Sequence, residues 1–190
     1  MNKMNKMNKM NEMNKMKKAL PFILLALVLA GAVGLQKFQG TGSTGYEAAD
    51  FALPGLDGTR RKLSDFRGNV VFLNLWATWC PPCVAEMPSI EALYRRFHSQ
   101  GLVILAVSAD STGAAAVAPL VKQLGVTFPV LLDPEGTLSP RYGVTGYPET
   151  FVIGRDGRVV EHVIGPTDWS STARFNYFDT LLRQPTGIAG

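Results

Sequence analysis

The strongest constraint on the fold is a seven-residue run, Val70 to Trp76, in which Asn74 is the one polar residue. A run without alternation between polar and apolar residues is typical of a strand that is buried on both faces of a sheet. Gly68 and Asn69 directly precede the run and mark its start. We therefore expect a central strand, with other elements packed against both of its faces.

The segments around this strand predict a single α/β domain. Apolar residues at helical spacing predict a helix from Pro82 to His98, which Pro88 is expected to kink. The other predicted strands are a small N-terminal hairpin formed by residues 51–53 and 61–63, strands at 102–107 and 130–132, and a hairpin of strands 150–153 and 158–164. A second helix is predicted at 114–124, or as a shorter helix with Pro119 near its first turn. A closing helix is predicted at 168–182 with Asp168 as its cap. This order predicts a mixed central sheet with helices on both faces.

Composition excludes several classes of protein. The chain has 190 residues and two cysteines, which fits one domain with a hydrophobic core and excludes a miniprotein stabilised by several disulfides. Its formal charge of +4 arises from the first 18 residues, which hold six lysines and one glutamate. The rest of the chain is close to neutral, so we expect no nucleic-acid partner.

The N-terminal segment predicts targeting to the membrane. Residues 1–18 form a polar, cationic three-residue repeat, for which we expect a disordered cytoplasmic tail, although translation could also start at Met13 or Met16. Residues 19–35 carry no charge or hydrogen-bonding side chain and would form a helix about 25 Å long, close to the bilayer core of about 30 Å. They predict a signal anchor, or a signal peptide cleaved near Ala30 and Ala32.

Lysines before the apolar segment keep that end in the cytoplasm under the positive-inside rule. The rest of the chain is then exported, to a periplasm or another extracytoplasmic space. Residues 36–45 are rich in glycine and polar side chains and predict a flexible linker. The folded domain is expected at 46–184, followed by a short tail at 185–190.

Both cysteines lie in the segment Trp79-Cys80-Pro81-Pro82-Cys83, between a predicted strand and a predicted helix. At the start of a helix the first sulfur meets unpaired backbone N–H groups and the positive end of the helix dipole, which favours the thiolate. The second sulfur lies one turn further along and can attack a mixed disulfide formed by the first. We expect Cys80 to be the nucleophile and Cys83 the resolving thiol.

Other uses of the cysteine pair are weaker on chemical grounds. A structural disulfide across so short a loop removes little chain entropy. A metal clip needs two further ligands, and neither His98 nor His162 is near in sequence. Covalent haem attachment needs a histidine where Val84 stands. We expect no metal and no organic cofactor.

Glu86 follows Cys83 by three residues and therefore lies on a neighbouring face of the same predicted helix. A buried carboxylate there would raise the pKa of the thiols by charge repulsion and could relay a proton during disulfide exchange. The alternative for Glu86 is a solvated surface position.

Three segments carry a resemblance to a known family: FLNLWATWCPPCVAEMPSIEALY, VTFPVLLDPEG and YGVTGYPETFVIGRDGRVV. Over about residues 45 to 180 the chain resembles the membrane-anchored thioredoxin-like thiol:disulfide oxidoreductases of the TlpA, ResA and CcmG (DsbE) type. The resemblance implies a thioredoxin-like fold with an extra strand and helix, which correspond to elements between Leu102 and Leu132.

The resemblance also implies roles for single residues. Cys80 and Cys83 form the redox-active pair, and Glu86 is the active-site glutamate. Pro148 follows a cis peptide bond and faces the cysteines. The substrate-binding residues implied are Trp79, Tyr147, Pro148 and Glu149, with the Tyr147 backbone pairing with an extended substrate. Asn74 departs from the buried aspartate of cytosolic thioredoxins, which makes Glu86 the stronger proton acceptor.

These features favour an anchored dithiol reductant that opens disulfides in exported proteins. Similarity to the family suggests apocytochrome c as a substrate, and a membrane protein of the DsbD or CcdA type as the electron donor. A thiol oxidant or isomerase of the same fold is an alternative, because the motif does not set the direction of electron flow. A non-catalytic peptide-binding module is another. A peroxidase is disfavoured, since the proline of a P-x-x-x-T-x-x-C motif is missing before Cys80.

Overall fold

Residues 40–41 and 44–184 are described by the structure, which is a computed structural model. The predicted tail at 1–18, the apolar segment at 19–35 and the C-terminal tail at 185–190 lie outside these residues. No helix among the described residues is long and apolar enough to cross a membrane.

Eight strands and four α-helices make up the described part of the chain. The strands are β1 (Gly40–Thr41), β2 (Ala52–Pro54), β3 (Arg60–Lys62), β4 (Val70–Trp76), β5 (Leu102–Ser108), β6 (Val130–Leu132), β7 (Glu149–Ile153) and β8 (Val159–Ile164). The helices are α1 (Pro81–Phe97), α2 (Ala114–Leu124), α3 (Leu138–Tyr142) and α4 (Thr172–Arg183). Short 3-10 helices follow β3 and α1, at Leu63–Phe66 and His98–Gln100.

Six of the strands form one mixed sheet in the order β1-β8-β7-β4-β5-β6. Strands β4, β5 and β6 run parallel, whereas β7 is antiparallel to β4, and β8 is antiparallel to β7. The predicted mixed sheet of a thioredoxin-like fold is therefore confirmed. The extra elements are α2 and β6, and β6 extends the sheet beyond β5. Strands β2 and β3 form the predicted N-terminal hairpin as a separate sheet.

The central strand β4 is buried at all seven positions, as predicted from its apolar run. Its side chains alternate between two cores because successive residues of a strand point to opposite faces. Val70, Phe72 and Trp76 join the core that contains α1, α2 and α4. Val71, Leu73 and Leu75 join the second core, which α3 and the segment around Phe51 cover. Both faces of β4, the strand that precedes the cysteine segment, are therefore shielded from water.

Aromatic rings hold α4 and the loop before it against the sheet. The Trp169 ring meets Phe72 of β4 edge to face, with centroids 4.7 Å apart. Phe178 of α4 contacts both of these rings, at 6.1 Å from Phe72 and 6.4 Å from Trp169. Each of the three side chains is fully buried. This cluster fixes the position of the loop before α4, which also forms one wall of the candidate site.

The last helix begins later than predicted, and the predicted cap is wrong. Helix α4 starts at Thr172, and the Ser171 hydroxyl accepts a hydrogen bond from the Arg174 N–H. The Asp168 carboxylate instead accepts hydrogen bonds from the Ser170 N–H and hydroxyl, at 3.0 and 2.5 Å. Both aspartate and serine are good caps, and the turn formed by Asp168 delays the helix by one turn.

Smaller differences concern element boundaries. Helix α1 begins at Pro81, one residue before the prediction, and Pro88 and Pro119 both lie inside helices. Gly40 and Thr41 fall in the predicted linker but pair with Ile164 and Val163 at the outer edge of β8. An edge strand offers unpaired backbone groups, which explains why even two residues add to it. Helix α3 was not predicted, because its five residues show no clear helical pattern.

The aromatic cluster predicts a large stability cost when it is opened. Phe178→Ala removes a fully buried ring and leaves a cavity, so we expect the free energy of unfolding to fall by about 3–5 kcal/mol. Asn176→Ala on the exposed side of the same helix is the matched control and should change it by less than about 0.5 kcal/mol. Urea denaturation of both variants measures the difference. Equal effects would contradict the packing described here.

Candidate active site

The two cysteines form a disulfide at the first turn of α1. Cys80 is the N-cap residue, with an extended backbone, and its Sγ accepts a hydrogen bond from the Cys83 N–H at 3.3 Å. Pro81 and Pro82 occupy the first helical positions, where a missing N–H is tolerated. The structure therefore places Cys80 at the helix N-terminus, as the motif predicts.

This position sets the different chemistry of the two sulfurs. Cys80 is at the end of the helix, where backbone N–H groups and the helix dipole stabilise negative charge on its sulfur. Cys83 is fully buried, whereas Cys80 retains 5% of its surface and adjoins an exposed residue, Trp79. An incoming disulfide can reach the Cys80 side first, which agrees with the predicted roles of nucleophile and resolving thiol.

The segment before Cys80 meets the loop that contains Pro148. Trp79 is 66% exposed, and its ring lies edge to face with Tyr147, with centroids 5.8 Å apart. The Tyr147 hydroxyl is 2.6 Å from the Ser139 hydroxyl. The peptide bond between Tyr147 and Pro148 is cis, as the family resemblance implies. Trp79, Tyr147 and Pro148 are thus brought together beside the disulfide.

Glu86 is buried one turn after Cys83, so the solvated alternative for this residue is wrong. Its Oε1 accepts a hydrogen bond from Asn74 Nδ2 at 3.0 Å. Its Oε2 accepts from the Thr167 backbone N–H and from Trp169 Nε1, each at 3.2 Å. These donors come from β4 and from the loop after β8, so the carboxyl group ties these two parts of the fold to the active-site helix.

Burial raises the pKa of Glu86 to about 7, against the opposing effect of its three hydrogen bonds. An acid with this pKa gives up and regains its proton near neutral pH, which general acid–base catalysis requires. Glu86 also lines a cleft between α1 and the loop after β8. The other residues that line this cleft are Pro82, Ala85, Ser89, Pro166, Thr167 and Asp168.

A buried carboxylate that the sequence did not reveal holds the turn before Cys80. Asp110 accepts hydrogen bonds from the Thr78 N–H at 2.9 Å, the Thr78 hydroxyl at 2.5 Å and the Ser108 hydroxyl at 2.6 Å. Strands β4 and β5 are parallel and end at the same edge of the sheet, which brings Thr78 and Asp110 together. The sequence feature that could have identified Asp110 is the polar S-x-D segment at the end of a buried strand.

Comparison with known proteins places this site in a family. The family model described as the AhpC/TSA family matches residues 44–162. Thiol-disulfide oxidoreductase ResA from Bacillus cereus is 40% identical over 149 residues, which cover 75% of this chain and 86% of the relative. ResA from Bacillus subtilis is 40% identical over 147 residues, which cover 75% of this chain and 82% of the relative.

The chain belongs to the thioredoxin-like thiol-disulfide oxidoreductases of the AhpC/TSA family. Solved structures agree with this assignment. A thiol:disulfide interchange protein DsbE from Chlorobium tepidum is 34% identical, with a TM-score of 0.68, and the match covers 74% of this chain and 98% of that one. StoA from Bacillus subtilis is 26% identical, with a TM-score of 0.57, and the match covers 63% and 90% of the two chains.

In this oxidoreductase, Glu149 does not lie where the predicted substrate contact requires. Its carboxylate is buried, with Oε2 2.7 Å from His162 Nε2 and Oε1 accepting a hydrogen bond from the Thr145 N–H at 3.0 Å. Glu149 shares a face of the sheet with Phe151, in the second core, whereas Thr150 faces Asn74 and Glu86. The buried Glu149 carboxylate therefore holds the loop before Pro148 from inside the protein, and it does not line the surface beside the disulfide.

The raised pKa of Glu86 predicts how the stability of the oxidoreductase depends on pH. An unfolded glutamic acid has a pKa of 4.5, so between this value and about 7 the folded chain binds more protons at Glu86 than the unfolded chain does. The free energy of unfolding therefore falls as the pH rises through this interval, by about 3 kcal/mol from this group. Glu86→Gln should remove that part of the pH dependence.

Urea unfolding of the wild type and of Glu86→Gln across this pH interval measures the difference. Other titrating groups are common to both proteins, so they cancel when the two curves are subtracted. Parallel curves would show that Glu86 titrates at the same pH in the folded and unfolded chains, which would contradict its assignment as a buried acid.

Proposed function

We propose that the chain is an extracytoplasmic dithiol reductant that opens disulfides in exported proteins. The observation that carries the proposal is the Cys80–Cys83 disulfide at the N-terminus of α1, with the 5% exposed Cys80 next to the exposed Trp79 and Cys83 fully buried. The similarity to proteins named ResA and DsbE supports the same chemistry. The lysine-flanked apolar segment at 19–35 supports membrane anchoring and export of the domain.

The reaction begins from the reduced pair. The Cys80 thiolate attacks one sulfur of the substrate disulfide, which forms a mixed disulfide and releases the other substrate sulfur as a thiolate. Cys83 loses its proton and attacks the Cys80 sulfur, which re-forms the Cys80–Cys83 bond and releases the second substrate sulfur. Two electrons pass to the substrate, and the pair is oxidised. The chemistry uses the disulfide alone, without a metal or an organic cofactor.

Glu86 is suited to receive the proton that Cys83 must lose. It lies one turn further along α1, and burial raises its pKa to about 7, so its carboxylate is a competent base at neutral pH. Protonation removes a buried negative charge as the Cys83 thiolate forms, which avoids two adjacent charges in the interior.

An aromatic pair beside the disulfide, exposed Trp79 and half-buried Tyr147, supports binding of an extended polypeptide. Trp79 and Tyr147 offer apolar surface next to Pro148, whose preceding peptide bond is cis. We propose that a substrate segment lies across Tyr147 and presents its disulfide to Cys80. Apocytochrome c, reduced before haem attachment, is the substrate that family similarity suggests. The reductant must be recharged, and a membrane protein of the DsbD or CcdA type that carries electrons from the cytoplasm fits this need.

Trapping the mixed disulfide tests the proposal. In Cys83→Ala the resolving step is blocked, so the full-length chain should accumulate an adduct through Cys80 when it meets a disulfide-bonded protein such as insulin. Non-reducing electrophoresis and mass spectrometry of the linked peptides measure the adduct. Cys80→Ala is the matched control and should give no adduct, since its remaining thiol is buried.

Two results would contradict the redox assignment. One is the absence of any adduct through Cys80 in Cys83→Ala. The other is full function of Cys80→Ser in cells together with no reduction of insulin by the purified wild type. The second result would favour a peptide-binding module that uses the exposed surface around Trp79 without redox chemistry.

A further inference from the structure

Asn74 joins Glu86 to β7 in the interior of the sheet. It is fully buried in the middle of β4 and lies opposite Thr150 of β7. Its Nδ2 donates hydrogen bonds to Glu86 Oε1 and to Thr150 Oγ1, each at 3.0 Å. Its Oδ1 has no hydrogen-bond partner among the described residues, although it is buried. Burying an amide oxygen without a hydrogen-bond partner lowers the stability of the fold, so this arrangement needs an explanation.

The surroundings of Glu86 restrict where a proton can be held. Oε2 faces the Thr167 N–H and the Trp169 Nε1–H, and both of these groups can only donate hydrogen bonds. An added proton on Oε2 would therefore point at two donors. The neutral acid must carry its proton on Oε1, on the side of Asn74.

The present orientation of Asn74 suits the charged form of Glu86 alone. Nδ2 donates to Oε1, so a proton on Oε1 would meet another donor. Turning the amide by half a rotation about its Cβ–Cγ bond brings Oδ1 to the same place. Oδ1 then accepts a hydrogen bond from the protonated Glu86. The Thr150 hydroxyl, which now accepts from Nδ2, turns and donates to Oδ1 instead.

Both orientations leave the same number of hydrogen bonds. In each, two bonds join the amide to Glu86 and Thr150, and one end of the amide is without a partner among the described residues. Neither orientation is therefore favoured strongly by the amide itself. The protonation state of Glu86 decides between them.

We propose that Asn74 is a positioning residue whose side-chain amide reverses each time Glu86 gains or loses its proton, with the Thr150 hydroxyl reversing in step. The proposal deepens the proposed function, because it rests on Glu86 as the group that takes up the proton of Cys83. It gives the acid a hydrogen-bond partner in both charge states. Glu86 can then change its charge inside the protein without moving its side chain.

Few other groups influence this titration. Cys80 and Cys83 lie on the same helix as Glu86, and in the oxidised protein neither titrates. Among the described residues that line the cleft, Asp168 is the one acid besides Glu86. The pKa of Glu86 is raised by burial and opposed by hydrogen bonds from Asn74, Thr167 and Trp169. The oxidised chain therefore isolates the exchange of a proton at Glu86.

Nuclear magnetic resonance of the oxidised full-length chain tests the proposal directly. With the asparagine side chains labelled with 15N and the glutamate carboxyls with 13C, the nuclear Overhauser effect between the Asn74 amide protons and the Thr150 side chain reports the amide orientation. We expect a strong signal above the titration of Glu86 and a loss of that signal below it, with the same midpoint as the Glu86 carboxyl. A signal that persists through the titration would overturn the proposal.

Glu86→Gln gives a second test that does not depend on pH. Its amide oxygen must face Thr167 and Trp169, which only donate, so its amide nitrogen faces Asn74 and imitates the protonated acid. We expect the Asn74 signal to Thr150 to be weak at every pH in this variant. A strong signal at every pH would overturn the proposal. Thr150→Ser retains the hydroxyl and is the matched control, which should titrate as the wild type does.

Neither measurement needs turnover. A failure of the amide to reverse would leave the trapping of substrate by Cys83→Ala unaffected. A failure of trapping would contradict the proposed function while the reversal of Asn74 could still be observed. The two outcomes are therefore distinguishable.

Discussion

The contact between the Cys80 sulfur and the N-terminus of α1 is the interaction on which the rest of the site depends. It exists because β4, which is buried on both faces, ends at a fixed edge of the sheet a few residues before Cys80. Helix α1 then starts at Pro81 and Pro82. Asp110 holds the intervening turn through Thr78. Rigid elements on both sides of the disulfide keep Cys80 next to the exposed Trp79 and Cys83 fully buried, which suits an ordered two-step exchange.

A second constraint is that the exchange moves protons as well as electrons within a closed interior. Glu86 is suited to this need because burial raises its pKa to about 7, against the opposing effect of the three hydrogen bonds that it accepts. Asn74 and Thr150 extend the same network across β4 and β7. Trp169 links the network to the aromatic cluster, since its ring packs on Phe72 while its Nε1–H donates to Glu86. Packing and acid–base chemistry therefore share one side chain.

Features encoded in contiguous sequence were predictable from the residues themselves, whereas contacts between distant segments were not, apart from the meeting of Trp79 with the Tyr147-Pro148 segment that the family resemblance implied. The apolar run of β4 lies within one element, so periodicity sufficed for it. The spacing from Cys83 to Glu86 left burial of Glu86 open, and its active-site role came from the family resemblance. The partner of Glu149 is His162, 13 residues away across a hairpin with a register shift between Val152 and Ile153, and neither face nor contact followed from the motif. The contact of Asp110 with Thr78 likewise depends on the parallel pairing of two strands.

The midpoint potential of the Cys80–Cys83 pair tests the central claim most directly, because fold and motif leave the direction of electron flow open. Equilibration of the full-length chain with glutathione or dithiothreitol buffers, followed by alkylation of free thiols, gives this value. A dithiol reductant predicts a potential near that of thioredoxin, about −270 mV. A potential near that of a strong oxidant, about −120 mV, would contradict the account.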